Sequence, residues 1–166
     1  LTAAVGIAQL DKVKDICAKR NVYGDKLNAA LQGIKGLKPM KVLDDCNCSY
    51  WFYMFRIDEA EMGATRAEFV NALRAEGVPA QAGYMPTCVY QYDMFKNGTI
   101  YPGATKCPLD GTYGGRVKEY KDGDCPEAEA ILSTCIKLNV NEFYTEQDLA
   151  ETIEAIQKVC NYFNNK

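Results

Sequence analysis

The chain contains 166 residues, 48% of them hydrophobic, so it can bury one core of its own. Its net charge is −3, its isoelectric point is near 5.1, and no run of Lys or Arg stands out, which argues against nucleic acid or an anionic membrane as a partner. No apolar stretch is long enough to span a membrane and no signal peptide is visible, so we expect a cytoplasmic location.

The first thirty-odd residues predict one long amphipathic helix. Apolar residues recur every three or four positions from Leu10 to Leu31, and Gly33, Gly36 and Pro39 mark its end. The first turns are apolar almost all round and have no capping residue, and such a surface is normally buried against another element. We therefore expect the C-terminal piece of a larger protein, with residues 1–36 as a truncated interdomain helix and residues 37–166 as an α+β domain. The alternative is a free-standing domain whose N-terminal helix is frayed.

Two strands and a helix are predicted next. Residues 41–44 are a short strand candidate, and residues 48–58 form the strongest strand pattern, with apolar side chains on both faces as in a central strand. Thr65 and Glu68 have the spacing of a capping box that opens a helix, and Gly77 closes it. Residues 80–83 follow as a short extended run.

The last third of the chain is again regular. Pro126 begins a helix whose apolar face extends to Cys135, and residues 136–140 alternate as a strand. Thr145 and Asp148 cap the final helix. These elements predict an α+β fold, in which helices pack on a small antiparallel sheet.

The stretch between these regions, residues 84–123, has six glycines and little periodicity, and only residues 89–95 suggest a short helix. Long irregular segments in a compact domain are commonly binding loops or lids. Its many aromatic residues argue against disorder, and its charges balance. Tyrosine rings and hydroxyls suit a polyhydroxylated ligand, whereas the alternative is that these tyrosines only pack over the sheet.

The eight cysteines and the absence of histidine limit the possible chemistry. Cys46 and Cys48 form the only close cysteine pair, which is the wrong spacing for zinc, so we expect no metal site and reduced structural thiols. Cys17, Cys135 and Cys160 fall on apolar faces of predicted helices. The glycine-rich residues 111–116 lack the ending of a phosphate loop. Composition and spacing alone therefore reveal no self-contained active site.

The order of the segments nevertheless resembles the DegT-like sugar aminotransferases, which are fold-type I pyridoxal-phosphate enzymes. The matching segments are the first ten residues, Ser49-Tyr50 before the aromatic strand, residues 65–79, Gly83-Tyr84-Met85-Pro86, residues 125–129, and residues 144–158. Together they cover nearly the whole chain.

The resemblance implies a small C-terminal domain without catalytic residues of its own. In that family the cofactor-bearing lysine and most contacts to pyridoxal 5'-phosphate lie in a large domain upstream, so this chain alone would be inactive. The complete enzyme would be a homodimer that moves an amino group from a donor such as glutamate or glutamine to a keto sugar or cyclitol. This domain would close over the substrate and contribute to specificity.

The resemblance also suggests substrate contacts. Many members have His before the Tyr of the His-Tyr-x-Pro segment, and Gly83 stands there instead, which is more similar to the subgroup acting on keto-inositols. By this matching Tyr84 is the first candidate for substrate contact, with Met85 and Pro86 shaping the wall, and Tyr90 and Arg116 as further candidates. Two other functions stay open: a non-catalytic α+β module that binds a polyol or saccharide, and a purely structural or oligomerisation domain.

Overall fold

The computed structural model describes residues 1–101, 103, 109–111, 114, 117 and 119–166. These residues form two compact units: unit 1 comprises Leu1–Ala82 and Thr134–Lys166, and unit 2 comprises Gly83–Ser133. The helices are, in chain order, α1 (Thr2–Ala30), α2 (Glu59–Met62), α3 (Arg66–Ala75), α4 (Asp93–Lys96), α5 (Pro126–Thr134) and α6 (Glu146–Asn164). The strands are β1 (Leu37–Lys38), β2 (Phe52–Ile57) and β3 (Cys135–Asn139). The predicted α+β class is confirmed.

The three strands form one antiparallel sheet in the order β1-β2-β3. Leu37 pairs with Ile57, and the longer β2–β3 ladder runs from Phe52 opposite Asn139 to Arg56 opposite Cys135. The aromatic strand is therefore central, as its sequence predicts. Its buried side chains alternate with half-buried ones, so one face of the sheet meets the core closely.

Helix α1 begins and ends close to the predicted positions, but only its C-terminal part is buried. Tyr23, Gly24 and Leu27 face the core, and the first fifteen residues are exposed. The exposed apolar residues of this stretch are Leu1, Val5, Ile7, Leu10 and Val13. A helix of 29 residues is about 43 Å long, so more than half of it lies outside the core of unit 1.

Unit 1 has a continuous hydrophobic core between the sheet and its helices. Its largest fully buried side chains are Tyr50, Tyr53, Phe55, Phe69, Leu27, Leu31, Ile57, Met62, Leu73, Ile136, Ile156 and Val70. Each capping box that the sequence predicts is present: Thr65 with Glu68 at α3, and Thr145 with Asp148 at α6. Gly77 follows α3 with φ 90°, the left-handed conformation that glycine adopts without strain.

Three local predictions are wrong. Residues 41–44 form no strand. Pairing with β2 begins at Leu37, directly after Gly36, and it ends at Lys38 because Pro39 lacks the N–H that would extend the ladder. Cys135 is the first residue of β3 rather than the end of a helix face, because its backbone pairs with Arg56. Glu59 and Glu61, whose position after the aromatic strand predicts a turn with solvated charges, instead belong to α2, which the side chain of Asp58 caps.

No helix among the described residues is long and apolar enough to cross a membrane.

Candidate functional site

Unit 2 contains an open, apolar pocket of about 550 Å³. A volume of this size is typical of a small-molecule site. Its wall is built from the short 3-10 turn Val89–Gln91, from α4, from the segment before α5 and from one face of α5. The residues that line it are Met85, Cys88, Val89, Tyr90, Phe95, Tyr120, Cys125, Ala128, Ile131 and Leu132.

One side of the pocket is an aromatic wall. The rings of Tyr90 and Tyr120 have centroids 6.2 Å apart and are inclined by 31°. The ring of Phe95 meets that of Tyr120 nearly edge-on, at 6.0 Å and 74°. Aromatic rings stabilise one another in such offset and edge-to-face arrangements. The three rings line the pocket and form an aromatic wall.

The polar ends of this wall are held by hydrogen bonds to one another. The hydroxyl of Tyr90 donates to the carboxylate of Glu129, which also accepts the Gly123 N–H at 2.7 Å. The Cys125 N–H donates to the Tyr90 hydroxyl oxygen at 3.3 Å. This network fixes the chain before α5 against the turn that carries Tyr90, and it leaves the ring of Tyr90 as the surface that faces the pocket.

A second polar cluster supports the same wall from outside. Asp122 accepts hydrogen bonds from Lys96 Nζ at 2.7 Å and from Gln91 Nε2 at 2.9 Å. The bond from Lys96, and then that from Gln91, lower the pKa of Asp122. The carboxylate is therefore charged near neutral pH and ties α4 to the segment before α5.

Two thiols contribute to the pocket. Cys88 is buried and Cys125 is exposed, and neither is in a disulfide. Burial, followed by the charges of Glu129 and Cys125, raises the pKa of Cys88, which disfavours its thiolate. Among the described residues, no group of three or more Cys, Asp or Glu could hold a metal ion.

Only part of the predicted substrate site comes together. Met85 and Tyr90 line the pocket, whereas Tyr84, which is 46% exposed, and Pro86 are outside its lining. Arg116 lies outside the described residues, as does most of the glycine-rich segment 111–116. The sequence did not identify the contributions of Tyr120 or of α5, although the helical spacing of Ala128, Ile131 and Leu132 was a usable signal.

Unit 1 has a smaller pocket, of about 280 Å³, whose rim carries three carboxylates. Each already has a partner: Lys158 Nζ donates to Glu76 at 2.6 Å, Gln147 donates to Glu151, and Asp148 caps α6. On the pocket wall, the Tyr23 hydroxyl donates to Thr152 Oγ1 at 3.2 Å, and burial raises the Tyr23 pKa. These groups stabilise the fold and leave no acid or base poised for chemistry.

Comparison with known proteins assigns the fold to the aminotransferases. An aminotransferase from Psychrobacter cryohalolentis superposes with a TM-score of 0.73 at 19% identity, over 98% of this chain and 39% of that one. The structure of 3-amino-5-hydroxybenzoic acid synthase matches with a TM-score of 0.62 at 24% identity, over 93% and 37% of the two chains. The chain thus has the α+β fold of the small domain of these enzymes.

The family follows from the sequence match. The model of the DegT/DnrJ/EryC1/StrS aminotransferase family matches residues 1–109, and the chain belongs to this family. It is similar to the spore coat polysaccharide biosynthesis protein SpsC of Bacillus subtilis (strain 168), with 24% identity over 160 residues. That alignment covers 96% of this chain and 36% of the relative, so the chain spans about a third of the length of the curated proteins it matches.

Proposed function

We propose that this chain is the C-terminal small domain of a pyridoxal-phosphate-dependent aminotransferase that aminates a keto sugar or keto-inositol, and that it is inactive alone. The observation that carries the proposal is its membership of an aminotransferase family over residues 1–109, together with a match to only about a third of each relative. The remaining two thirds of such a relative would correspond to the large domain, which we propose as the first partner of this chain.

The exposed half of α1 supports such a partner. Val5, Ile7 and Leu10 are each more than half exposed, although they are spaced along a regular helix. An isolated helix gains little stability in water without tertiary packing of its apolar residues. A large domain packed against residues 1–15 would remove this apolar surface from water.

The described lysines do not fit the role of cofactor carrier. None of the described lysines is buried and none lines the unit 2 pocket, and Lys26, Lys38, Lys96 and Lys158 make ion pairs with surface carboxylates. The described part of the chain therefore does not provide a sheltered lysine for pyridoxal phosphate. We propose that the large domain holds the cofactor and that this domain contributes to substrate recognition.

The substrate proposal comes from the relatives and from the segment at Gly83. SpsC is named for polysaccharide biosynthesis, and the synthase is named for an amino-substituted carbocycle. Gly83 has φ 93°, a backbone conformation that His adopts only with strain. This backbone therefore fits Gly-Tyr-x-Pro better than the His-Tyr-x-Pro sequence of many family members. We propose Tyr84, Met85, Pro86, Tyr90 and Arg116 as substrate contacts. We further propose a cytoplasmic homodimer, as the family resemblance implies.

The rival function, a free-standing module that binds a polyol, has less support. The unit 2 pocket is lined, among the described residues, by hydrocarbon, thiols and aromatic rings. A polyol held by this domain alone would lose hydrogen bonds to water there without recovering them, whereas in the proposed enzyme the large domain would supply polar contacts to the acceptor.

The test is a donor half-reaction, which requires no knowledge of the acceptor. The longest polypeptide that the gene encodes is loaded with pyridoxal phosphate and mixed with glutamate or glutamine, and the keto acid released is quantified. We expect about one equivalent per chain without an acceptor, and none from the 166-residue chain alone. No keto acid from the longest polypeptide with either donor, or with a panel of other amino acids, would contradict the proposal.

A further inference from the structure

The pocket of unit 2 differs from a site designed for many hydroxyl groups. None of the described side chains that line it carries a charge. The Tyr90 hydroxyl donates to Glu129 and accepts from the Cys125 N–H, so its only donor is already used. Apart from the two phenols, the described lining offers a ligand hydroxyl only thiols and hydrocarbon, which are weak partners or none.

The shape of the wall favours a flat ligand. The rings of Tyr90 and Tyr120 are inclined by 31°, and Phe95 stands nearly perpendicular to Tyr120. Helix α5 contributes Ile131 and Leu132 to the same pocket. A planar ring can contact both aromatic faces and branched hydrocarbon in such a pocket, and both contacts favour an apolar ring.

The hydrogen bonds around Glu129 hold the wall of the pocket in a defined position. Glu129 on α5 holds Tyr90 and the backbone of Gly123 together, and Asp122 holds Lys96 and Gln91. Glu129 and Asp122 hold pocket-lining segments without lining the pocket themselves, and a wall held in this way loses little conformational entropy on binding.

We infer that the unit 2 pocket holds the ring of the amino acceptor and selects a flat six-membered ring with few hydroxyl groups over a fully hydroxylated one. Calling the occupant the acceptor rests on the proposed aminotransferase function and on Met85 and Tyr90 as substrate contacts. The preference for a flat, apolar ring rests on the pocket alone. For a keto-cyclitol acceptor, the inference restricts the candidates to unsaturated rings with few hydroxyl groups.

Cys125 provides a reporter of occupancy. It is exposed and lines the pocket, whereas Cys46 is exposed in unit 1 and serves as an internal control. The longest polypeptide that the gene encodes is alkylated with iodoacetamide, and the rate at each cysteine is followed by peptide mass spectrometry. Phenol and myo-inositol are the two probes, since both are six-membered rings and they differ in planarity and in hydroxyl number.

We expect phenol to slow alkylation of Cys125 and to leave Cys46 unchanged. A ligand of this size binds with a dissociation constant of about 1 mM, so roughly 5 mM phenol should slow alkylation of Cys125 about sixfold. myo-Inositol at the same concentration should slow neither cysteine. Equal protection by both compounds, protection by myo-inositol alone, or no protection by phenol would overturn the inference.

Two variants distinguish binding of phenol in the pocket from a general effect of phenol on the rate of alkylation. Ile131→Lys places a charge at the pocket rim, where the side chain is 38% exposed, and should abolish protection by phenol. Val22→Lys, at an exposed site on α1, should preserve it. Persistent protection in Ile131→Lys would overturn the inference. Protection by phenol combined with a failed donor half-reaction would overturn the acceptor assignment specifically.

Discussion

A close contact between Gly24 and Tyr50 joins α1 to the start of the sheet. Tyr50 is almost completely buried and has φ 43°, a conformation that is unusual for a bulky residue. Its hydroxyl donates to Asp25 Oδ1 at 2.6 Å, which fixes the ring beside the helix. Only a residue without a side chain fits opposite that ring, because a Cβ at position 24 would lie 2.5 Å from it.

Gly24→Ala should therefore destabilise the fold although alanine favours helices. The overpacking should lower the free energy of unfolding by about 1–3 kcal/mol. Gly6→Ala is the matched control in the same helix, because a Cβ there meets nothing within 4 Å. It should raise stability by about 0.5–1 kcal/mol. Urea unfolding of the three proteins measures both effects, and equal stabilisation by the two substitutions would contradict this packing.

Tyr84 provides a second prediction at this scale, which rests on its proposed role in substrate binding. Once an acceptor is found, Tyr84→Phe should lower kcat/KM for the acceptor about fivefold through loss of one hydrogen bond. The donor half-reaction should be unchanged, because the hydroxyl is proposed to contact only the acceptor. Tyr101→Phe, another exposed tyrosine of unit 2, is the control and should behave as wild type. A proportional loss in both half-reactions would indicate a structural role for Tyr84.

At the scale of elements, the capping box of α6 links local sequence to acid stability. The Thr145 hydroxyl accepts the Asp148 N–H, and the Asp148 carboxylate accepts the N–H and hydroxyl of Thr145 at 2.6 and 2.7 Å. The side-chain bond from Thr145, followed by the backbone bond, lowers the pKa of Asp148. A carboxylate with a lowered pKa contributes stability above its ordinary pKa, and this contribution is lost as the pH falls through the folded-state value.

Thr145→Ala should therefore destabilise the protein at neutral pH more than in acid. The expected loss at pH 7 is about 1 kcal/mol, the usual cost of a missing cap. The difference from wild type should shrink as the pH falls from about 5 to about 2, because Asp148 becomes protonated in both proteins. Thr145→Ser retains the hydroxyl and is the control. Urea unfolding at a series of pH values measures the effect, and a difference that stays constant with pH would contradict it.

Elements with local signals could be predicted from the sequence, and those that depend on distant partners could not. The caps at Thr65 and Thr145 and the central aromatic strand follow from residues within a few positions of each other. The sequence predicts a strand at residues 41–44, several residues after β1, because the position of β1 depends on pairing with Ile57 across the sheet. The sequence predicts Cys135 on a helix face for the same reason, because its strand conformation depends on backbone pairing with Arg56 in β2.

At the scale of the whole molecule, the family and the fold could be predicted, but the character of the pocket could not. The order of segments identified the aminotransferase family, and the tyrosine content of residues 84–123 suggested a polar site. In the structure, Tyr90 and Tyr120 pack against each other beside the unit 2 pocket, and Glu129 accepts a hydrogen bond from the Tyr90 hydroxyl. Composition does not reveal which end of a tyrosine faces a ligand, because that depends on partners about forty residues away.

The most direct test of the proposed aminotransferase is to locate its cofactor. The longest polypeptide that the gene encodes is incubated with pyridoxal phosphate, reduced with borohydride and mapped by peptide mass spectrometry. Our account predicts one stoichiometrically modified lysine, located outside the 166 residues of this chain. Modification of a lysine within these residues, or scattered labelling without a specific site, would contradict it.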